Sequence, residues 1–160
     1  MDKYASSLLM EIMIKCFIFT SKASQNTVLL RFRYRQDQKG RIRRMTKQEF
    51  RDYVIKKGIV LLDGATGSCL MDRGMPGGVC PEEWIASHPE VLTGLQREYV
   101  QAGSDILYAP TFTANRIKLA EYGLEDRIRE LNLALVAASR RAAGPDTLIA
   151  GDLTMTGEQL

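Results

Sequence analysis

The spacing of apolar positions changes along this chain, and from Thr46 onward it alternates between helical and strand patterns. Thr46-Lys47-Gln48-Glu49 has the form of a capping box, in which Thr46 and Glu49 satisfy each other's backbone donors. Phe50, Tyr53 and Val54 then share one face of a short predicted helix that Gly58 is placed to end. Ile59-Val60-Leu61-Leu62-Asp63 follows as an unbroken apolar run of strand length. Continuous rather than alternating apolar character predicts burial on both faces, as in a parallel sheet. His88-Pro89-Glu90 opens a longer helix carrying Leu92, Leu95, Tyr99 and Ala102, stopped at Gly103. Asp105 to Ala109 reads as a second strand and Asn115 to Tyr122 as a short helix. Leu124, Ile128, Leu131, Leu135, Ala138 and Ala142 recur at spacings of 4, 3, 4, 3 and 4, which predicts the longest helix. Gly144-Pro145 ends it, and Thr147 to Gly151 is the third strand.

The predicted order is therefore β-α-β-α-β, with helices long enough for crossovers between parallel strands. The fold class is α/β, and two architectures fit: a doubly wound sheet or a (β/α)8 barrel. The GxGxxG fingerprint of dinucleotide binding is absent, and Asp63-Gly64-Ala65-Thr66-Gly67-Ser68 has two glycines at another spacing and no Walker lysine. Both architectures place ligands at the carboxyl ends of their strands. Asp63, Thr111 and Asp152 stand at or just past those ends.

The first forty-five residues follow different rules. Leu9, Ile12, Met13, Cys16 and Phe17 fall on one face of a helical pattern within Ser6 to Phe19, with Glu11 and Lys15 as an i,i+4 pair. The run is too short and too charged for a spanning helix, which needs ~20 mostly apolar residues. Asp2 beside Lys3 removes the positive start that a signal peptide requires. Leu30-Arg31-Phe32-Arg33-Tyr34-Arg35 alternates strictly and predicts a strand with arginines on one face. Basic residues interleaved with aromatics suit single-stranded nucleic acid or another acidic partner. No surrounding nucleic-acid-binding pattern supports that, so a solvated extension is the plainer expectation.

Charge sharpens the division. Residues 1–45 hold ten Lys/Arg against three Asp/Glu, and residues 46–160 hold twelve against sixteen, so the formal net charge of +3 joins a basic extension to an acidic remainder. Domains are accordingly expected at 1–45, poorly ordered, and at 46–160. Cys16, Cys69 and Cys80 are odd in number and lack CxxC spacing, against a disulfide framework or a zinc ribbon and in favour of a reducing, cytoplasmic setting. His88 is the only histidine, which disfavours a local histidine-based triad.

Leu61-Leu62-Asp63-Gly64-Ala65-Thr66-Gly67-Ser68, Pro81-Glu82-Glu83, Ala102-Gly103-Ser104-Asp105 and Pro110-Thr111-Phe112 together resemble the amino-terminal part of the homocysteine S-methyltransferase family. The likeness is greatest to the homocysteine-binding domain of the cobalamin-dependent methionine synthases. Tyr122-Gly123-Leu124-Glu125-Asp126, Gly151-Asp152-Leu153 and Thr156-Gly157-Glu158 agree in order and spacing, so the resemblance covers about residues 46–160. It implies a (β/α)8 barrel that binds homocysteine at its strand ends and holds zinc with three cysteine thiolates. The zinc lowers the pKa of the homocysteine thiol, so that a thiolate attacks the methyl group. The methyl donor differs among members: a corrinoid such as cobalamin, betaine, or a sulfonium compound.

Three positions carry over as substrate-binding. Asp63 and Gly64 match the first-strand motif that meets the amino-acid end of homocysteine, and Thr111 matches the threonine that helps hold its carboxylate. No catalytic residue and no metal ligand carries over. The family's zinc cysteines lie late in its chain and include an adjacent pair, whereas Cys69 and Cys80 sit in the loop after the first strand and match no ligand position. A barrel needs ~250 residues, so about three βα units are expected here, as a truncated domain inactive alone. Its open sheet edges are expected to promote self-association.

Overall fold

The computed structural model describes residues 18–20, 33–36 and 42–153, with side chains from Met45 onward. In chain order the elements are β1 (Ile18–Thr20), β2 (Arg33–Gln36), β3 (Ile42–Arg44), α1 (Lys47–Lys57), β4 (Ile59–Leu61), α2 (Gly67–Asp72), α3 (Pro81–Ser87), α4 (Pro89–Gln101), β5 (Ile106–Ala109), α5 (Arg116–Ala120), a 3-10 turn (Glu125–Arg127), α6 (Ile128–Ala143) and β6 (Leu148–Gly151). The fold is mixed α/β with parallel strands.

β5 and β6 pair in parallel, Ile106 opposite Leu148 through Ala109 opposite Gly151. β4 joins β5 through a parallel bridge between Leu62 and Ile106. Asp63 N donates to Ile106 O at 3.0 Å there, and Asp105 N to Leu61 O at 2.8 Å. The three β/α strands expected from the sequence thus lie side by side in the order β4-β5-β6. α4 crosses from β4 to β5, and α6 from β5 to β6.

Side chains alternate across this sheet, and both faces are covered. Leu107, Ala109 and Ile149 join Leu92, Leu95 and Tyr99 of α4 and Leu135, Ala138 and Ala142 of α6 in the larger core. Ile106, Leu148 and Ala150 point the other way and meet Phe50 and Val54 of α1, with Val60 and Met45. That two-sided burial is why the strands are apolar without alternation. Burying one large side chain such as Leu107 or Leu135, both fully enclosed, contributes about 1.5–3 kcal/mol. α1 begins with the expected capping box: Thr46 Oγ1 accepts from Glu49 N at 3.2 Å, and Glu49 Oε2 accepts from Thr46 N at 2.7 Å. It ends at Gly58, whose φ of 77° suits glycine. Asp105 then ties the lower end of the sheet, pairing with Lys57 and accepting from Leu61 N at 2.9 Å.

Four expectations change. The sheet edges expected to be open are both paired: β1 lies antiparallel to β4, Phe19 opposite Val60, and β2 lies antiparallel to β6, Tyr34 opposite Ile149. β3 continues from β2 as a hairpin, Arg35 opposite Arg43. A strand edge is a row of unsatisfied N–H and C=O groups, and short extended segments of the same chain answer it. Ile18 and Phe19, expected in a helical stretch, belong to β1 for that reason; the rest of that stretch lies outside the described residues, as does 30–32 of the alternating basic segment. The loop after the first strand contains two helices. Cys69 lies in α2, and Cys80 precedes α3, which Pro81 and the acidic Glu82 and Glu83 start. Finally, the longest helix begins at Ile128, because Leu124 N bonds back to Leu119 O at 2.9 Å and a 3-10 turn intervenes. None of the helices among the described residues is long and apolar enough to cross a membrane.

Candidate functional site

The carboxyl ends of β4, β5 and β6 gather Asp63, Gly64, Thr111 and Asp152. β4 stops at Leu61, short of the end of β5, so another group must take up the backbone of Tyr108. The Asp63 side chain does so, its Oδ2 accepting from Tyr108 N at 3.0 Å. Gln96 on α4 donates from Nε2 to Tyr108 O at 2.8 Å. Asp63 is 5% exposed and Gln96 is wholly enclosed. Burial pushes the Asp63 carboxyl up to about 7, against the pull of the Tyr108 N–H, the Gln96 side chain and its own backbone N–H, and with a small further push from the neighbouring Asp152 carboxylate. Its second oxygen, Oδ1, is buried without a hydrogen-bond partner. An acceptor in that condition is ready for a donor from outside the chain.

Gly64 is set by close approach and not by a left-handed backbone. A Cβ there would stand 3.0 Å from Tyr99 Cε1, 3.1 Å from Oη and 3.2 Å from Cζ. Tyr99 cannot easily retreat: it is 1% exposed and its hydroxyl donates to Ala65 O at 2.8 Å. The ring therefore floors the Asp63–Ala65 segment, and Cys69 Sγ reaches the same hydroxyl at 3.8 Å.

Thr111 has a different setting from the one its carry-over suggests. Its hydroxyl donates to Asp152 O at 2.8 Å and accepts from Asp152 N at 2.9 Å. The side chain thereby bolts the end of β5 to the end of β6, and a substrate carboxylate could take its hydrogen only from Asp152. Asn115, not Thr111, caps the following helix, accepting from Lys118 N at 3.0 Å. Burial also raises the Asp152 carboxyl.

Sequence reasoning passed over Gln96 and the setting of Glu82. Gln96 stands on the Leu92–Tyr99 stripe, one turn from each, so a polar residue within an apolar face was its signal. Glu82 is 3% exposed and accepts from Cys80 Sγ at 3.3 Å and from the Thr113 hydroxyl. It fastens α3 to the loop after β5. His88 stacks on Trp84 at 4.5 Å between ring centroids and stays outside this cluster of strand-end residues.

The two described cysteines have separate partners, Tyr99 for Cys69 and Glu82 for Cys80, and burial raises the Cys80 thiol. Among the described residues no group of three or more His, Cys, Asp or Glu could hold a metal ion. They do not fit a three-thiolate zinc site.

Residues 60–160 match the family model described as homocysteine S-methyltransferase. The chain belongs to the homocysteine S-methyltransferase family. The matched segment includes Asp63, Gly64 and Thr111. It is 34% identical over 98 residues to a methionine synthase of Mycobacterium tuberculosis, covering 56% of this chain and 8% of that protein. An S-methylmethionine–homocysteine S-methyltransferase of Pongo abelii is 30% identical over 100 residues, 61% of this chain and 26% of its own length. Betaine–homocysteine S-methyltransferase 1 of Danio rerio is 33% identical over 106 residues, 64% and 26% respectively. The chain thus spans about a quarter or less of these relatives.

Proposed function

We propose that residues 46–160 form the amino-acid-binding side of a homocysteine S-methyltransferase, as the first three βα units of a (β/α)8 barrel. The observation that carries this reading is the buried, unpartnered Oδ1 of Asp63 at the carboxyl ends of three parallel strands. An α-ammonium group supplies the donors that this oxygen lacks, and a carboxylate supplies the charge to hold it. Gly64 lets the chain pass over Tyr99 and keeps Asp63 at that depth. Thr111 holds the β5 and β6 ends in register, and reaches a substrate carboxylate by exchanging it for the Asp152 carbonyl.

Methyl transfer needs more than this. Zinc, which the family resemblance implies, would supply an activated thiolate, but the described residues lack the ligands for it. In this reading they bind and orient homocysteine. The activating metal site and the choice of donor, whether cobalamin, betaine or a sulfonium, belong to groups outside them, and the chain alone shows no turnover.

The test is calorimetric binding of L-homocysteine to the full chain at pH 8, beside its analogue lacking the amino group. L-Homocysteine should bind at least tenfold more tightly, about 1.4 kcal/mol, and Asp63→Asn should remove the difference. Equal affinity for both ligands would overturn the assignment of Asp63. Methyl transfer by the purified chain would overturn the division of labour.

A further inference from the structure

The outer edge of β6 is the one turned away from β5. Leu148 N donates to Asp105 O at 2.8 Å, so Leu148 aims its backbone groups at β5. Successive residues of a strand present N–H and C=O to opposite edges. Ile149 therefore presents both of its groups to the outer edge, where Tyr34 of β2 stands directly opposite. In an antiparallel ladder such a pair exchanges two hydrogen bonds. Because Tyr34 has turned its groups to β6, β2 bonds to β3 through the next pair, Arg35 opposite Arg43. Thr147-Leu148-Ile149-Ala150-Gly151 carries no charge, and a bare edge of that kind is a template for another strand. The sheet order β3-β2-β6-β5 leaves β3 outermost instead. β3 is Ile42-Arg43-Arg44, and a short, charged edge resists further pairing.

We propose that the β2–β3 hairpin guards the β6 edge against a second copy of this chain, and that opening it lets two β6 strands pair antiparallel across a two-fold axis. A two-fold brings identical edges together in opposite directions, and the uncharged β6 offers its own copy nothing that repels. The hold of the guard is short. β2 meets β6 at Arg33 opposite Ala150 and Tyr34 opposite Ile149, and the Arg35–Arg43 pair sets like charges across the hairpin. A (β/α)8 barrel would lay a parallel strand along this same edge, so the hairpin and barrel closure compete for one row of hydrogen bonds. The basic alternation around Arg33 and Arg35 thereby serves the sheet itself.

Tyr34→Pro in the full chain tests the guard, because it deletes the N–H offered to Ile149 and leaves the Arg35–Arg43 pairing in place. Sedimentation equilibrium should show this variant dimerising at least about tenfold more tightly than the parent. Tyr34→Thr, which keeps the N–H, should sediment as the parent does. Amide exchange supplies the second readout. In dilute, monomeric Tyr34→Pro the Ile149 N–H should exchange about tenfold faster than in the parent, with Leu107 in the middle of the sheet unchanged. Ile149 protection should return as the dimer forms. A variant whose Ile149 amide is freed but which stays monomeric overturns the proposal, as does an Ile149 amide equally protected in parent and variant. Equal dimerisation of Tyr34→Thr, or assemblies larger than a dimer, would also overturn it. Loss of protection at Leu107 would show that β2 supports the whole sheet rather than guarding its edge, and the proposal would fail.

Discussion

Replacing Asp63 with asparagine should stabilise this protein, by an amount that grows as pH rises from about 4 to about 7. The folded chain holds a proton on Asp63 up to about pH 7, whereas the unfolded chain releases it near the ordinary 3.8. Between those values folding takes up a proton, so stability from this group is full below about pH 4 and is lost progressively until pH reaches the folded value of about 7. Each pH unit of that interval is worth about 1.4 kcal/mol, which makes the cost of ionising Asp63 in place about 4 kcal/mol at most. Asparagine has the same shape and still accepts from Tyr108 N, without a charge to bury. Urea denaturation of parent and variant at pH 4 and pH 8 gives the difference directly. The variant should match the parent within about 1 kcal/mol at pH 4 and exceed it by ~2–4 kcal/mol at pH 8. A difference that is the same at both pH values would show that Asp63 ionises normally, and the reasoning would fail. The expected gain also fits a general pattern in which binding groups are held at a cost to the fold.

Three further substitutions probe the same region and its support. Gly64→Ala drives a Cβ into the Tyr99 ring and should cost about 1–3 kcal/mol, partly recovered in the Gly64→Ala/Tyr99→Leu double variant; an unchanged denaturation midpoint would refute the close approach. Thr111→Val removes the hydroxyl that both donates to and accepts from Asp152, and should cost about 1–3 kcal/mol. Faster amide exchange at Asp152 is the accompanying sign, and unaltered exchange would show that the β5–β6 bolt does not form. Thr46→Ala breaks the capping box of α1 and should lower stability by about 1 kcal/mol, read as a lower thermal midpoint; Thr46→Ser should leave it nearly unchanged.

The periodicity of the chain determined the β/α order, because burial on a helix face or on both faces of a strand leaves its mark residue by residue. Ile59 to Asp63, Asp105 to Ala109 and Thr147 to Gly151 are strands for the reason their apolar runs announce, and Thr46 and Gly58 bound α1 through local hydrogen bonding alone. The motifs around Asp63 and Thr111 likewise pointed to the strand ends. What the sequence could not determine depends on contacts between distant residues. The edge pairing of β1 and β2 comes from the hydrogen-bonding needs of β4 and β6, which lie far along the chain. Thr111 spends its hydroxyl on Asp152 because β5 and β6 are neighbours, although 41 residues separate the two. Gln96 looks like an incidental polar position until α4 lays it beside Asp63. The protonation of Asp63, finally, is decided by what surrounds it: only packing removes water from a carboxyl, and without that removal it would be an ordinary aspartate.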